Sequence, residues 1–268
     1  MIRIYGKIAL VGVFLCALLF SGVYSYYYTQ WKHLWTLESP LPFYEIKTPK
    51  DSVIRVVMIG DSWAAIHHDN GMDTFLRLQI ERLTGRSAVV KSKGKRGEKT
   101  KGIYRLMFET SGDGTKPLLS EGADYCLIIT GINDSGANLG TRQYCHYYHQ
   151  ILNFLLFNNI RPIIIEIPNI DKWHIYKDKP LKDILSDYIK SITSGGGMYR
   201  YKKYREELYS MLMDQQLLEK VIYLRMDEWN TCSPEIDESI FLDDLVHLNG
   251  EGYKKLDYSI ATAIMKDL

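Results

Sequence analysis

The chain has 268 residues and 46% hydrophobic content, enough for a substantial buried core. A formal net charge of +1 provides no global field of the kind that gathers nucleic acid, so nucleic acid is excluded as a partner. The four cysteines, Cys16, Cys126, Cys145 and Cys232, make no Cys-x-x-Cys pair and no zinc spacing, which excludes a disulfide framework or a zinc module.

The stretch 8–28 carries no charge, and about 20 apolar residues suffice for a helix to cross the hydrocarbon core. Arg3 and Lys7 precede it, while Lys32, His33, Glu38 and Glu45 follow with mixed sign. That bias puts the N-terminus in the cytoplasm and the rest of the chain outside. Tyr24, Tyr26, Tyr27, Tyr28, Trp31 and Trp35 have the placing of an interfacial aromatic belt. A cleaved signal peptide, with Val23 and Ser25 at −3 and −1, is the competing reading and would leave a secreted protein. The expected layout is an anchor over 1–30, a linker over 31–52 containing Pro40, Pro42 and Pro49, and one globular domain over 53–268.

Within that domain, strand-like runs alternate with helical patterns. Residues 53–59 read as a buried β-branched strand, and 72–83 as a helix that stops at Gly85. Residues 88–91 make a short strand, followed by a basic, glycine-bearing loop and a helix near 100–109. Residues 125–130 form a third strand, 141–158 a helix and 161–167 a fourth strand. Helical stretches at 181–192 and 199–218 precede a last strand at 221–224 and a last helix at 250–265. Five strands alternating with helices predict an α/β fold: a three-layer α/β/α sandwich on a five-stranded parallel sheet, flavodoxin-like, behind an N-terminal transmembrane helix. Residues 170–204 exceed a minimal crossover and are expected to build a lid or rim.

In such a sheet, ligands bind at the carboxyl ends of the strands. Polar residues cluster at those places. Gly60-Asp61-Ser62-Trp63 follows the first strand and Gly94…Gly97…Thr100 the second; Gly131-Ile132-Asn133-Asp134 follows the third, and Asp244-Leu245-Val246-His247 precedes the final helix. Acyl transfer needs a nucleophile, a base, a group that orients the base, and donors for the developing oxyanion. Ser62 supplies the nucleophile and His247 the base. Asp244 orients the base, with Asp243 as its rival. The oxyanion donors would be the N–H groups of Ser62 and Gly97 and the amide of Asn133. Asp61 is expected to brace the turn.

These four blocks, in this order, resemble the SGNH (GDSL-type) hydrolase superfamily, with Trp63 where leucine is usual. The resemblance implies a serine esterase with no metal and no other cofactor. For an outward-facing, membrane-anchored protein it further implies a small acyl substrate, an O-acetyl group on a carbohydrate such as a polysaccharide, either hydrolysed or transferred. The tyrosine and tryptophan content (20 and 5 residues) agrees with contact to sugars. A non-catalytic glycan-binding or assembly module of the same fold is the alternative; it draws on Trp63, whose ring beside the serine would narrow the pocket or stack on a sugar.

Other features have a plainer reading. His67-His68-Asp69 looks metal-like, but adjacent histidines rarely face one ion. His146 and His149 suit a helix surface, and Cys145 suits packing. Lys91, Lys93, Lys95, Arg96, Lys99 and Lys101 read as a solvated loop, with attraction of an anionic substrate such as an acidic glycan as the alternative, because the loop flanks the cleft.

Overall fold

The computed structural model describes residues 2–31, 36–169, 172–225 and 238–268. Helix α1 (Ile2–Trp31) takes in the uncharged stretch, and its segment Tyr5–Thr29 is long and apolar enough to cross a membrane, with none of it buried. Tyr24, Tyr26, Tyr27 and Tyr28 lie on its last turns. Trp35, Lys32, His33 and Cys232 lie outside the described residues, as does the ring of Trp31.

The domain then runs β1 (Ile54–Gly60), α2 (Ser62–Asp69), α3 (Met72–Thr84), β2 (Ala88–Gly94), α4 (Thr100–Leu106), α5 (Lys116–Ser120), β3 (Tyr125–Ile129) and α6 (Ile132–Gly136). It continues with α7 (Thr141–Phe157), β4 (Arg161–Ile165), α8 (Lys172–Tyr176), α9 (Leu181–Thr193), α10 (Tyr201–Asp214), β5 (Ile222–Leu224) and α11 (Gly250–Asp267). Among the described residues the strands form one five-stranded sheet in the order β2-β1-β3-β4-β5, every pairing parallel. Alternate side chains of β1 serve opposite faces, as the period of two requires. Ile54, Val56 and Met58 pack with Leu76, Ile80, Leu256 and Ile260 of α3 and α11. Val57 and Ile59 pack with Tyr104, Tyr148, Ile151 and Leu208 of α4, α7 and α10. The three-layer α/β/α architecture expected from the strand–helix alternation is therefore present.

Three local differences have physical causes. Strand β2 extends to Gly94, because its register with β1 runs on to the Gly60–Gly94 pair while its lysines point outward. The helical stretch at 199–218 divides into a 3₁₀ turn (Met198–Arg200), α10 and a second 3₁₀ turn (Leu218–Lys220), since α10 stops at Asp214 and Gln216 turns left-handed. The expected linker lies along the domain as a strap. Its Leu41 N–H donates to Tyr104 Oη at 2.7 Å, its Ile46 N–H donates to Asn158 Oδ1 at 2.7 Å, and Ile46 is buried.

Part of the aromatic content serves the core. Trp63, Tyr104, Tyr144, Tyr147, Tyr148, Tyr204 and Tyr253 are among the largest fully buried side chains. These rings fill the core and do not offer a sugar-stacking surface.

Candidate active site

The sheet order has one switch point, where β1 lies between β2 and β3, and open α/β sheets bind their ligands at the carboxyl ends of the strands at such a point. Close backbone approach dictates glycine on both sides of it. A Cβ on Gly60 would stand 2.3 Å from Ile129 O, and one on Gly94 2.3 Å from Asp61 O and 2.4 Å from Ala65 N.

Ser62 is the first residue of α2, so its N–H is one of the first-turn donors with no intrahelical acceptor. Asp61 caps the helix: its Oδ1 accepts from Trp63 N–H at 3.0 Å. Burial pushes the Asp61 carboxyl up to about 7, opposed by the Trp63 N–H and aided by the charge of Asp134. His247 Nε2 lies 2.9 Å from Ser62 Oγ, and its Nδ1 lies 2.5 Å from Asp244 Oδ2. The other oxygen of Asp244 accepts the N–H groups of Val246 and His247, each at 2.9 Å. Burial works to raise the Asp244 carboxyl, but the bonds from His247 and Val246 outweigh it and hold the group below its ordinary value. Asp243 is exposed, and among the described residues it is Asp244 whose carboxylate meets the imidazole. Leu245 adopts φ +51, a costly conformation for a branched residue that its buried side chain helps to hold.

The neighbouring loops are stitched to this turn. Lys95 N–H donates to Gly60 O at 3.0 Å. Thr100 donates its N–H (3.0 Å) and its hydroxyl (2.9 Å) to Asp134 Oδ2. Burial raises Asp134 to about 6 against those bonds. Gly97 sits at φ +72, the left-handed region that favours glycine, and its N–H meets no acceptor among the described residues. The Asn133 amide donates to Glu98 O at 3.0 Å and to Asp61 Oδ2 at 3.3 Å. The structure thus brings Asn133 to the serine turn beside the Gly97–Glu98 peptide, with its amide engaged by that peptide's neighbour and by the cap.

Several sequence expectations are corrected here. Trp63 is 1% exposed and stands in the core, so it neither narrows an open pocket nor stacks on a sugar. Its indole N–H donates to Val246 O at 3.1 Å, and Trp63 O accepts from Tyr253 Oη at 2.9 Å. The basic loop is largely neutralised. Lys91 pairs with Glu121, Lys95 with Glu98, Arg96 with Asp69 and Lys101 with Glu38, while Lys93 donates to the carbonyls of Gly112 and Gly114. His146 is half-buried and meets Glu38 O, whereas Cys145 packs against the core as expected, and burial pushes its thiol up to about 12.

Sequence reasoning missed one cluster. His67 is fully buried, with Nε2 3.0 Å from Asp257 Oδ1 and Nδ1 3.0 Å from Asp73 Oδ1, and Ser92 Oγ hydrogen-bonds both His67 and Asp73. Burial alone would lower the imidazole's pKa, but the two carboxylates overrule it and push it up to about 9. The cluster binds α2, which begins with Ser62, to α3, β2 and α11. Its members are far apart in sequence, and the His-His-Asp run drew attention to the wrong partners.

No family profile and no curated protein matches the chain. Solved structures do. A lipase/acylhydrolase from Enterococcus faecalis superposes with TM-score 0.57 at 16% identity, over 80% of this chain and 97% of that one. A GDSL-like lipase from Bacteroides thetaiotaomicron gives 0.51 at 16% identity, over 91% and 98%. The psychrotrophic esterase EstA of a Pseudoalteromonas species, in a structure inhibited by monoethylphosphonate, gives 0.54 at 13% identity, over 81% and 98%. With its switch-point serine turn and its histidine loop ahead of the last helix, this chain has the fold of the SGNH (GDSL-type) hydrolases.

Proposed function

We propose that the protein is a membrane-anchored serine esterase that removes or transfers a small acyl group, an O-acetyl on a carbohydrate, on the outer side of a membrane. One observation carries the reading: Ser62, His247 and Asp244 form a continuous relay of 2.9 and 2.5 Å between segments remote in sequence. Ser62 Oγ attacks the ester carbonyl carbon while His247 Nε2 takes its proton, and Asp244 stabilises the imidazolium through Nδ1. The carbonyl oxygen becomes an anion facing the N–H groups of Ser62 and Gly97. Asn133 joins them by exchanging one of its present acceptors for the oxyanion. His247 then protonates the leaving alcohol, and water or an acceptor hydroxyl, activated by the same imidazole, releases the acyl group from Ser62.

The anchor is supported by the exposed apolar segment Tyr5–Thr29, and the outward orientation by the charges flanking it. The relatives' esterase and lipase activities favour ester chemistry over the non-catalytic alternative. Fluorophosphonate labelling of the whole protein tests the reading: modification confined to Ser62 and lost in Ser62→Ala is expected, and an unmodified Ser62 would overturn it.

A further inference from the structure

Helix α9 carries Leu181, Ile184, Leu185, Tyr188, Ile189 and Ile192 at the spacing of a single helix face. A helix serving only the core would bury that face. Here the buried side chains are Ser191 and Thr193, while Leu181, Leu185 and Tyr188 are 79%, 55% and 48% exposed.

The face does not look into open water alone. Gly22, Val23, Tyr26 and Tyr27 of α1 share a cleft with Leu185 and Ile189 of α9, and Tyr27 Oη is hydrogen-bonded to Ser186 Oγ at 3.2 Å. All four α1 residues belong to the membrane-length segment Tyr5–Thr29. With a rise of about 1.5 Å per residue, Gly22 lies about 10 Å inside Thr29. An interfacial helix buries its apolar face to a depth of about 5–10 Å. If α1 spans a bilayer, α9 can hold this contact only at the level of the headgroups and the first acyl carbons.

We propose that α9 is an interfacial helix, with Leu181, Leu185 and Tyr188 inserted into a phospholipid surface at the Thr29 end of α1. A second copy of the chain is a poorer occupant, since a stable protein interface buries about 1,000 Å² or more and the exposed patch is three side chains beside a membrane-embedded helix. Lys182 is exposed next to the stripe and can extend its ammonium to headgroup phosphates. The inserted helix also sets where the candidate site stands. The chain leaving α9 packs on the loop beyond Asn133: a Cβ on Gly140 would meet Ser194 O at 2.1 Å, and one on Gly197 would meet Asn138 Oδ1 at 2.2 Å.

The inference rests on the anchor reading but not on the esterase chemistry, and the test separates the two parts of it. The full chain, with its native cysteines replaced, is labelled with the fluorophore NBD at Leu185→Cys or, as a control, at Leu78→Cys, an exposed apolar site on α3. Tyr188→Cys replaces Leu185→Cys if that variant does not fold. In phosphatidylcholine–phosphatidylglycerol vesicles, the α9 label should brighten several-fold, shift to the blue and be quenched by doxyl-labelled lipid, and the Leu78→Cys label should do none of these. A water-like α9 label in a protein that resists alkaline carbonate extraction would overturn the interfacial helix while leaving the anchor standing. Extraction of the protein by carbonate would overturn both. Energy transfer between α9 labels on two copies, without lipid quenching, would assign the face to a dimer and overturn the proposal.

Discussion

The indole N–H of Trp63 donates to the carbonyl oxygen of Val246 at 3.1 Å, joining the residue after the serine to the residue before the histidine. A leucine at this position has no donor to offer. A buried, neutral hydrogen bond of this kind contributes about 1 kcal/mol, and leaving its acceptor unpaired costs about 1–3 kcal/mol. Trp63→Phe, which keeps a ring but removes the N–H, should destabilise the fold by about 1–2 kcal/mol in a urea titration. Because the lost bond spans the Ser62–His247 pair, kcat should fall by about tenfold with little change in KM, each 1.4 kcal/mol being about a factor of ten. Unchanged kcat would mean that the indole serves packing alone.

The relay makes a graded expectation. Ser62→Ala and His247→Gln should each reduce p-nitrophenyl acetate hydrolysis to background while leaving far-ultraviolet circular dichroism intact. Asp244→Asn should be milder, because the imidazole keeps its contact with Ser62 (2.9 Å) and loses only its orienting charge. Asp243→Asn should have little effect. Equal losses at the two aspartates would contradict the geometry at Nδ1.

The His67 cluster should appear in the pH dependence of stability. Its folded pKa of about 9 stands above the ordinary 6.5, so the protonated imidazole contributes fully below 6.5, and that contribution is lost as pH rises through about 9. At the acid end, the Asp73 carboxyl is held at about 2: burial opposes ionisation, but the bonds from His67, Ser92 and His68 outweigh it. Its contribution is lost as pH falls through that value. His67→Gln should cost about 3–5 kcal/mol near pH 6, since it leaves buried carboxylates without their cation. The difference from the parent protein should shrink between pH 6.5 and about 9.5, as followed by urea midpoints. A difference that does not vary with pH would indicate a neutral imidazole.

Gly94→Ala tests the close approach of β2 to the serine turn. The new methyl would meet Asp61 O at 2.3 Å and Ala65 N at 2.4 Å. Both are backbone atoms, so α2 must move. A loss of about 1–3 kcal/mol is expected from the overpacking, together with a loss of esterase rate beyond that of an equally destabilising substitution remote from the site. Gly112→Ala, where a Cβ meets nothing within 4 Å, serves as a comparison for φ strain alone, at φ +55.

The layered fold was largely legible because its signals are local and periodic. β-Branched runs such as Val56-Val57-Met58-Ile59 suit a sheet covered on both faces, and Gly85 ends α3 in the left-handed conformation that glycine adopts without cost. The short helices α5, α6 and α8 were not legible, since five residues are too few to display a helical period. Ser62, Asp244 and His247 could be singled out because each occupies a short motif at a strand or helix boundary.

The amino-acid sequence alone determined the order of the elements, the apolar N-terminal segment and the polar residues at the carboxyl edge of the sheet, all properties of near neighbours along the chain. Only the tertiary structure decided the direction of each side chain and the partner it met. It turned Trp63 into the core to hold Val246, engaged the Asn133 amide at Glu98 and Asp61, and enclosed His67 between Asp73 and Asp257. Those contacts join segments up to about 190 residues apart, and such pairings follow from how α2, β2 and α11 pack on the sheet, for which no local pattern carries a signal.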